Sequence, residues 1–152
     1  MAVQPDTAHA LVDAIFLFGR TLRTALANST GDELPNALTG VLFVLWRMGE
    51  CRPSELAAEL CMSQSALSRQ LGELVERGMV DRHRDPDDRR AHRVSVSETG
   101  HRALREIRDR RASRLHELLG GWDQAQAESA LGALAHLNDT LSVHDTTGRN
   151  CL

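Results

Sequence analysis

The feature that most constrains this chain is the charged run at residues 85–90, DPDDRR. It lies between two short alternating segments, Met79–Arg84 and His92–Ser97, and this arrangement predicts a β-hairpin with a tight, charged tip. A helix–turn–helix-like pattern precedes the hairpin at Pro53–Gly78. A helix that can enter the major groove, followed by a charged tip that can reach phosphates or the minor groove, is typical of DNA binding.

Apolar spacing predicts six helices around this hairpin. They cover Ala8–Ala27, a segment from near Pro35 to Gly49, Ser54–Leu60, Gln64–Arg77, Glu98–Leu119, and a last segment from Asp123 through Leu141. The second of these is apolar almost all round, so we expect it to be buried. The fold class is therefore mainly α with a small β-hairpin wing (α+β), that is, a winged helix–turn–helix.

The first helix and the last two are surplus to that unit, and their apolar stripes need a partner. A second copy of the chain is the most economical partner, since a two-fold dimer presents two reading helices to a pseudo-palindromic operator. We expect residues 35–98 to form the DNA-binding domain. Residues 1–34 and 99–152 are expected to form dimerisation helices in the same intertwined unit.

The charge distribution supports a DNA-contacting middle. The net charge of the chain is −3, yet residues 61–114 hold 13 arginines against 9 acidic residues. The remaining residues hold 5 arginines against 12 acidic residues, and the chain has no lysine. A basic middle between acidic ends is the asymmetry expected of a double-stranded DNA binder.

Other classes of protein lack their usual signals in this sequence. There is no apolar run long enough for a membrane span and no secretory signal, and the odd count of three cysteines suits a reducing cytoplasm. The seven histidines show no metal-ligand spacing, so we expect neither a metal nor a cofactor. Because there is no Gly-rich phosphate loop, nucleophile elbow or pair of carboxylates in an apolar setting, we do not expect an enzyme.

Two groups of side chains are candidates for contact with DNA. The recognition helix presents polar side chains at its N-terminal end: Ser63, Gln64, Ser65, Ser68 and Arg69. Ser63 is also a good N-cap for that helix, and Gly78 is a good residue to follow its end. In the wing, we expect Arg84, Arg89 and Arg93 to contact phosphates.

Five stretches together resemble the MarR family of transcriptional regulators. They are PSELAAEL at 53–60, SQSALSR at 63–69, LVERGMV at 74–80, DPDDRR at 85–90 and VSVSETG at 94–100. The resemblance implies a homodimer with interlocking N- and C-terminal helices, and operators that often lie near the regulator's own gene. It also assigns Arg90 as the minor-groove arginine and Asp88 as the carboxylate that orients it.

The same resemblance implies how such a regulator is released from DNA. Many members leave their operators on binding small phenolic or lipophilic ligands, and others respond to thiol oxidation. A ligand pocket would lie beside the first two helices, with Phe16, Arg20, Phe43 and Trp46 in its walls. These residues would equally make an ordinary core.

Cys61 departs from the family pattern, which usually has glycine in the turn between the two helices. A left-handed conformation at a non-glycine residue costs about 1 kcal/mol, so either the turn bends differently or strain is tolerated. Cys61 is also the candidate for a redox sensor, because an oxidised thiol there would disturb the reading helix. A bridge to Cys51, ten residues earlier, is conceivable, and Cys151 in the tail is expected to be incidental.

The expected function is that of a sequence-specific, homodimeric repressor of its own or a nearby operon, released by a small effector. One alternative is a redox-sensing regulator that acts through Cys61. Another is a winged-helix protein-interaction module without DNA binding.

Overall fold

The computed structural model describes residues 3–27 and 34–145. Its elements are α1 (Pro5–Ala27), α2 (Asn36–Met48), α3 (Pro53–Glu59), α4 (Gln64–Glu76), β1 (Val80–Arg84), β2 (His92–Val96), α5 (Glu98–Leu118) and α6 (Gln124–Asp145). This order confirms the winged helix–turn–helix predicted from the sequence. The break expected at residues 28–32, and Cys151, lie outside the described residues.

The chain divides into two compact units. The first ends at Leu115 and holds α1 to α4, the hairpin and most of α5, whereas the second begins at His116 and holds α6. In the second unit, the backbone N–H of Gln126 donates to the Asp123 carboxylate at 2.8 Å, and the backbone N–H of Asp123 donates to Gln126 Oε1 at 2.9 Å. Such a reciprocal cap starts a helix efficiently, so α6 begins where the sequence predicts that the last helix begins.

The core of the first unit is one apolar cluster contributed by α2, α3, α4, the hairpin and α5. Its largest wholly buried apolar side chains are Leu42, Leu45, Leu56, Leu67, Leu71, Leu74, Val41 and Val94. Side chains three or four residues apart on α4 supply three of the leucines, as the helical period requires. The opposite face of α4 is therefore left free.

Helix α2 is buried on one face, so the prediction that this helix is buried holds for that face and not for the opposite one. Leu38, Val41, Leu42 and Leu45 are buried. Phe43, Trp46 and Met48 remain 36%, 39% and 38% exposed. The physical reason is that the cluster around α3 and α4 covers a single stripe of a helix.

The hairpin is held to the helices through β2. β1 and β2 pair antiparallel with Val80 opposite Val96 and Arg82 opposite Val94. On its other edge, β2 pairs with Cys51: the Cys51 N–H donates to the Val94 carbonyl at 3.1 Å, and the Val94 N–H donates to the Cys51 carbonyl at 2.9 Å. β2 is thus hydrogen-bonded on both sides, and Val94 is wholly buried.

The turn between α3 and α4 places a cysteine in the left-handed region, with φ of 50° at Cys61. The Met62 N–H donates to the Ala57 carbonyl at 2.9 Å, which closes the end of α3. Ser63 then caps α4, since its hydroxyl accepts the Ala66 N–H at 3.2 Å. The cap at Ser63 is therefore confirmed, and the turn keeps the left-handed bend without a glycine.

Within the described part of the chain, none of the helices combines the length and apolar character needed to cross a bilayer.

Replacing Cys61 separates the strain of the turn from the chemistry of the thiol. We expect Cys61→Gly to be more stable than Cys61→Ala by about 1 kcal/mol, because alanine keeps the Cβ that disfavours a positive φ. Thermal unfolding of the two variants measures the difference. Equal melting temperatures would show that the left-handed residue costs nothing here.

Gly100, near the start of α5, is required by a close approach. A Cβ at this position would overlap the Met79 carbonyl and lie 2.8 Å from a methyl of Val96. We expect Gly100→Ala to destabilise the protein by about 1–3 kcal/mol, as overpacking does. The matched control is Gly72→Ala in α4, where the new Cβ meets nothing within 4 Å; this variant should keep or gain stability.

Candidate nucleic-acid interface

The N-terminal half of α4 presents a polar surface. Because Leu67, Leu71 and Leu74 point into the core, the opposite side chains are left to solvent. The exposed side chains include all five residues predicted for the recognition helix: Ser63, Gln64, Ser65, Ser68 and Arg69. Neutral hydroxyl and amide groups beside an arginine can donate to or accept from base edges, and they can also bind flanking phosphates.

A groove of about 690 Å³ separates this surface from the wing. Its walls come from the start of α3, from α4 and from both strands: Arg52, Pro53, Ser54, Gln64, Ser68, Leu71, Arg82, Arg84, Ala91, His92 and Val94. These described residues include three arginines and no carboxylate. The structure therefore brings Gln64 and Ser68 of the recognition helix together with Arg84 of the wing.

The register of the hairpin explains how arginines reach the groove. Directly opposed residues of an antiparallel pair point to the same face, so Arg82, opposite Val94, and Arg84, opposite His92, share the face that carries the buried Val80. The apolar pairs anchor the base of the hairpin, and the arginines continue the same face towards the tip. Arg82 was missed in the sequence, although its spacing of two residues from Arg84 was a usable signal.

The tip carries Arg89 and Arg90, both exposed. The Asp88 carboxylate accepts the backbone N–H of Arg90 at 2.9 Å, which folds the tip as an Asx turn. Among the described residues, no carboxylate pairs with the guanidinium of Arg69, Arg82, Arg84, Arg89 or Arg90. The role that the family resemblance gives to Asp88 stays a prediction, since the observed bond goes to the backbone.

Asp85 is the carboxylate that organises the wing. Its side chain is wholly buried, and it accepts the Nε–H of Arg52 at 2.7 Å and the backbone N–H of Asp87 at 2.9 Å. Arg93 approaches the same carboxylate, with Nη1 3.8 Å from Asp85 Oδ2. The base of the tip is thereby tied to the residue that precedes α3. Arg52 was missed in the sequence because its partner lies 33 residues away.

Arg93 is engaged elsewhere than the groove. It is opposite His83 in the register and so lies on the other face of the hairpin. Its Nε lies 3.0 Å from Glu50 Oε1, an ion pair without hydrogen-bond alignment, and its Nη2 donates to the Glu50 carbonyl at 3.3 Å. The contact of Arg93 with a DNA phosphate remains a prediction. In the structure, the neighbours of this side chain include the carboxylates of Glu50 and Asp85.

The hydrogen bonds around Asp85 shift two pKa values. The bond from Arg52, followed by the Asp87 N–H, lowers the pKa of the Asp85 carboxyl against the opposing effect of burial. The same bond to Asp85 raises the pKa of Arg52. Both shifts favour the charged forms, so the pair is ionised at neutral pH.

The cysteines of the described chain differ in exposure. Cys61 is exposed and Cys51 is buried, and no disulfide joins the two. Burial, and secondarily the charge of Glu55, raises the pKa of the Cys51 thiol. A raised pKa reduces the thiolate fraction of Cys51 and therefore its reactivity. Because Cys61 is exposed, it is the more accessible of the two.

Of the four residues predicted for a ligand pocket, Phe43 lines a described cavity, and the pocket made of all four stays a prediction. Phe16 is 75% exposed. The rings of Phe43 and Trp46 are tilted by 42° with their centroids 5.6 Å apart, and the Arg108 guanidinium lies 5.1 Å from the centroid of the Trp46 ring. The cavity of about 400 Å³ between α1, α2 and α5 includes Phe43 and is lined by Gly19, Leu22, Arg23, Leu26, Asn36, Thr39, Gly40, Leu104, Ile107, Arg108 and Arg111. Arg20 is exposed and is not among its walls.

The ionised Asp85 should make stability depend on pH. A lowered pKa means that Asp85 contributes stability above its ordinary value of 3.8, and that this contribution is lost as the pH falls through the lowered pKa. We expect wild type to melt well above Asp85→Asn at pH 7, with a gap that narrows below about pH 4. Melting curves from pH 7 to pH 3 measure the gap. A constant gap over that range would contradict the assignment.

Part of the chain matches the model of a known protein family. The MarR family model matches residues 35–92, from the residue before α2 to the first residue of β2. The transcriptional repressor MprA of Escherichia coli strain K12 is 36% identical over 67 residues, which are 44% of this chain and 38% of that relative. The chain therefore spans well under half of that relative's length.

Solved structures extend the likeness to nearly the whole chain. A MarR family protein from Bacillus stearothermophilus matches with a TM-score of 0.79 at 18% identity, over 93% of this chain and 99% of that one. A mutant MarR from Escherichia coli, complexed with operator DNA, matches with a TM-score of 0.66 at 20% identity, over 90% of this chain and 99% of that one. Identities at this level show a shared fold. The match of the MarR family model to residues 35–92, together with this shared fold, makes the chain similar to proteins of the MarR family.

Proposed function

We propose that this protein is a sequence-specific DNA-binding transcriptional regulator that acts as a homodimeric repressor. The observation that carries the proposal is the groove between α4 and the wing, whose described walls hold Arg52, Arg82 and Arg84 without a carboxylate. The polar N-terminal face of α4 lies along one side of it. A shape of this kind, with positive charge beside hydrogen-bonding groups, suits a duplex with its phosphates and base edges.

The proposed DNA contacts follow from this placement. Ser63, Gln64, Ser65, Ser68 and Arg69 face the major groove, and Arg84 and Arg89 bind phosphates. Arg90 reaches the minor groove from the tip of the wing, where a narrow groove attracts a guanidinium. The relatives support this direction, since one is described as a transcriptional repressor and one MarR structure holds operator DNA.

The proposed dimer rests on apolar surface left uncovered in the single chain. On α1, the exposed side chains include Val12, Phe16 and Leu17, and on α6 they include Leu131 and Leu141. Exposed apolar stripes on long helices are typical of subunit interfaces. Residues 1–34 and 99–152 would then serve dimerisation, and 35–98 would serve DNA binding.

The proposed signal is a small phenolic or lipophilic effector. The cavity between α1, α2 and α5 supports this, because Leu22, Phe43, Leu104 and Ile107 give it apolar walls and Arg23 and Arg108 lie at the same cavity. A thiol signal through the exposed Cys61 is the competing mechanism. One assay tests the thiol mechanism: if a Cys61→Ser protein still dissociates from its DNA on oxidant treatment, Cys61 is excluded as the sensor.

Binding to the DNA upstream of its own gene tests the function. We expect tight binding that prefers this duplex over a scrambled one, and a dissociation constant that rises steeply with salt as phosphate contacts release counterions. Arg90→Ala should weaken binding by about tenfold or more, given two wings per dimer. Fluorescence anisotropy across a salt series measures both effects.

The control is Arg105→Ala, which removes the same charge from an exposed position on α5. It should bind nearly as wild type does. Equal, weak binding of wild type to duplexes of every sequence would contradict the proposed regulator. An Arg90→Ala protein that kept full DNA affinity would contradict the role of the wing, and would favour a protein-interaction module.

A further inference from the structure

Arg52 combines a fixed orientation with unused donors. Its Nε–H donates to the buried Asp85 at 2.7 Å, while the side chain stays 41% exposed and lines the groove beside Arg82 and Arg84. No described residue accepts a hydrogen bond from its two terminal nitrogens. One edge of the guanidinium is therefore held by the protein, and the other donors remain available to a ligand in the groove.

The backbone of Arg52 is fixed as firmly as its side chain. Its N–H donates to Glu55 Oε2 at 2.7 Å, and its carbonyl accepts the N–H groups of Glu55 at 3.0 Å and Leu56 at 3.2 Å. These bonds start α3 and set the position from which the side chain extends. A long, flexible side chain loses entropy on binding, and a side chain that is already held loses less.

Asp85 is held in turn by the hairpin. Besides Arg52, it accepts the Asp87 N–H at 2.9 Å, and its own N–H donates to the Ala91 carbonyl at 3.0 Å. Because the Asp85 carboxylate is wholly buried and bonded to these partners, it is held in one position beside Arg52. Asp85 therefore acts as a positioning residue for the guanidinium.

We infer that Arg52 binds a backbone phosphate of the DNA strand that enters the groove, and that Asp85 orients it for this contact. The inference rests on the proposed function and adds a phosphate contact that neither the sequence motifs nor the family resemblance assigns. A phosphodiester oxygen accepts from the terminal N–H groups of an oriented guanidinium, in a geometry that lysine cannot reproduce. The neighbouring Arg82 and Arg84, which have no carboxylate partner among the described residues, supply the net positive charge.

Arg105 offers a control outside the groove. It lies on α5, and its Nη2 is 3.6 Å from Glu98 Oε1. Arg52→Gln and Arg105→Gln each remove one arginine that pairs with a carboxylate. Only Arg52→Gln removes a donor from the groove.

The experiment compares both variants with wild type on a duplex that wild type binds. We expect Arg52→Gln to weaken binding by about tenfold and to reduce the salt slope by about 0.9 for each phosphate that is no longer neutralised. Arg105→Gln should leave the slope unchanged. Duplexes with one neutral methylphosphonate at a time then locate the phosphate. At one position in each half-site, the methylphosphonate should weaken the binding of wild type and Arg105→Gln but should have no further effect on the binding of Arg52→Gln.

A structural role alone would give a different pattern. Melting temperatures show whether Arg52→Gln is folded, and the double variant Arg52→Gln/Asp85→Asn avoids an unpaired buried charge if the single variant unfolds. In the double variant too, the methylphosphonate at that position should have no further effect on binding. The inference is overturned if the folded Arg52 variant keeps the wild-type salt slope, or if every methylphosphonate weakens it as in wild type. Failure of wild type to bind any duplex would instead remove the proposed function, and this inference with it.

Discussion

The position of the wing depends on the burial of β2. Val94 is wholly buried, and the strand is hydrogen-bonded to β1 on one edge and to Cys51 on the other. Because the Cys51 segment leads directly into α3, the wing and the helix–turn–helix are parts of one hydrogen-bonded framework. The distance between the tip and α4 is therefore set by the core. A groove of fixed width follows from this framework.

Asp85 extends the same constraint to the tip. A buried ion pair is a weak source of net stability, because desolvation offsets most of the attraction between the charges. Its importance here is geometric, since one carboxylate joins Arg52, Arg93 and the backbone of the tip. The arginines around the groove thus fall into two classes. Arg52 and Arg93 are paired and support the architecture, whereas Arg82, Arg84 and Arg90 have no carboxylate partner in the described part of the chain and give the groove and the tip their charge.

Features encoded by neighbouring residues could be predicted from the sequence. The cap at Ser63, the left-handed Gly78 with φ of 70° and the strand alternation all depend on contacts within a few residues. The helix bounds agree to within a few residues for the same reason. Pro35, near which the second helix is expected to begin, immediately precedes α2 as its N-cap.

Features that depend on distant partners could not be predicted. Nothing near Arg52 in the sequence indicates that it meets Asp85, and Arg93 looks like a free wing arginine until Glu50, 43 residues away, is placed beside it. The exposed face of α2 was missed because a helical pattern shows that a side chain is apolar without showing what covers it. In the candidate site, the elements and most of their side chains could therefore be identified from the sequence. Which arginines form ion pairs with carboxylates could not.

The central claim is that DNA lies along α4 and the wing. Amide hydrogen exchange, measured with and without a duplex selected from random sequences, tests it most directly because it reports on every segment at once. The account predicts slower exchange in the bound state at the start of α4 and in residues 82–93. Protection confined to α1, α5 or α6, with α4 and the hairpin unchanged, would contradict it.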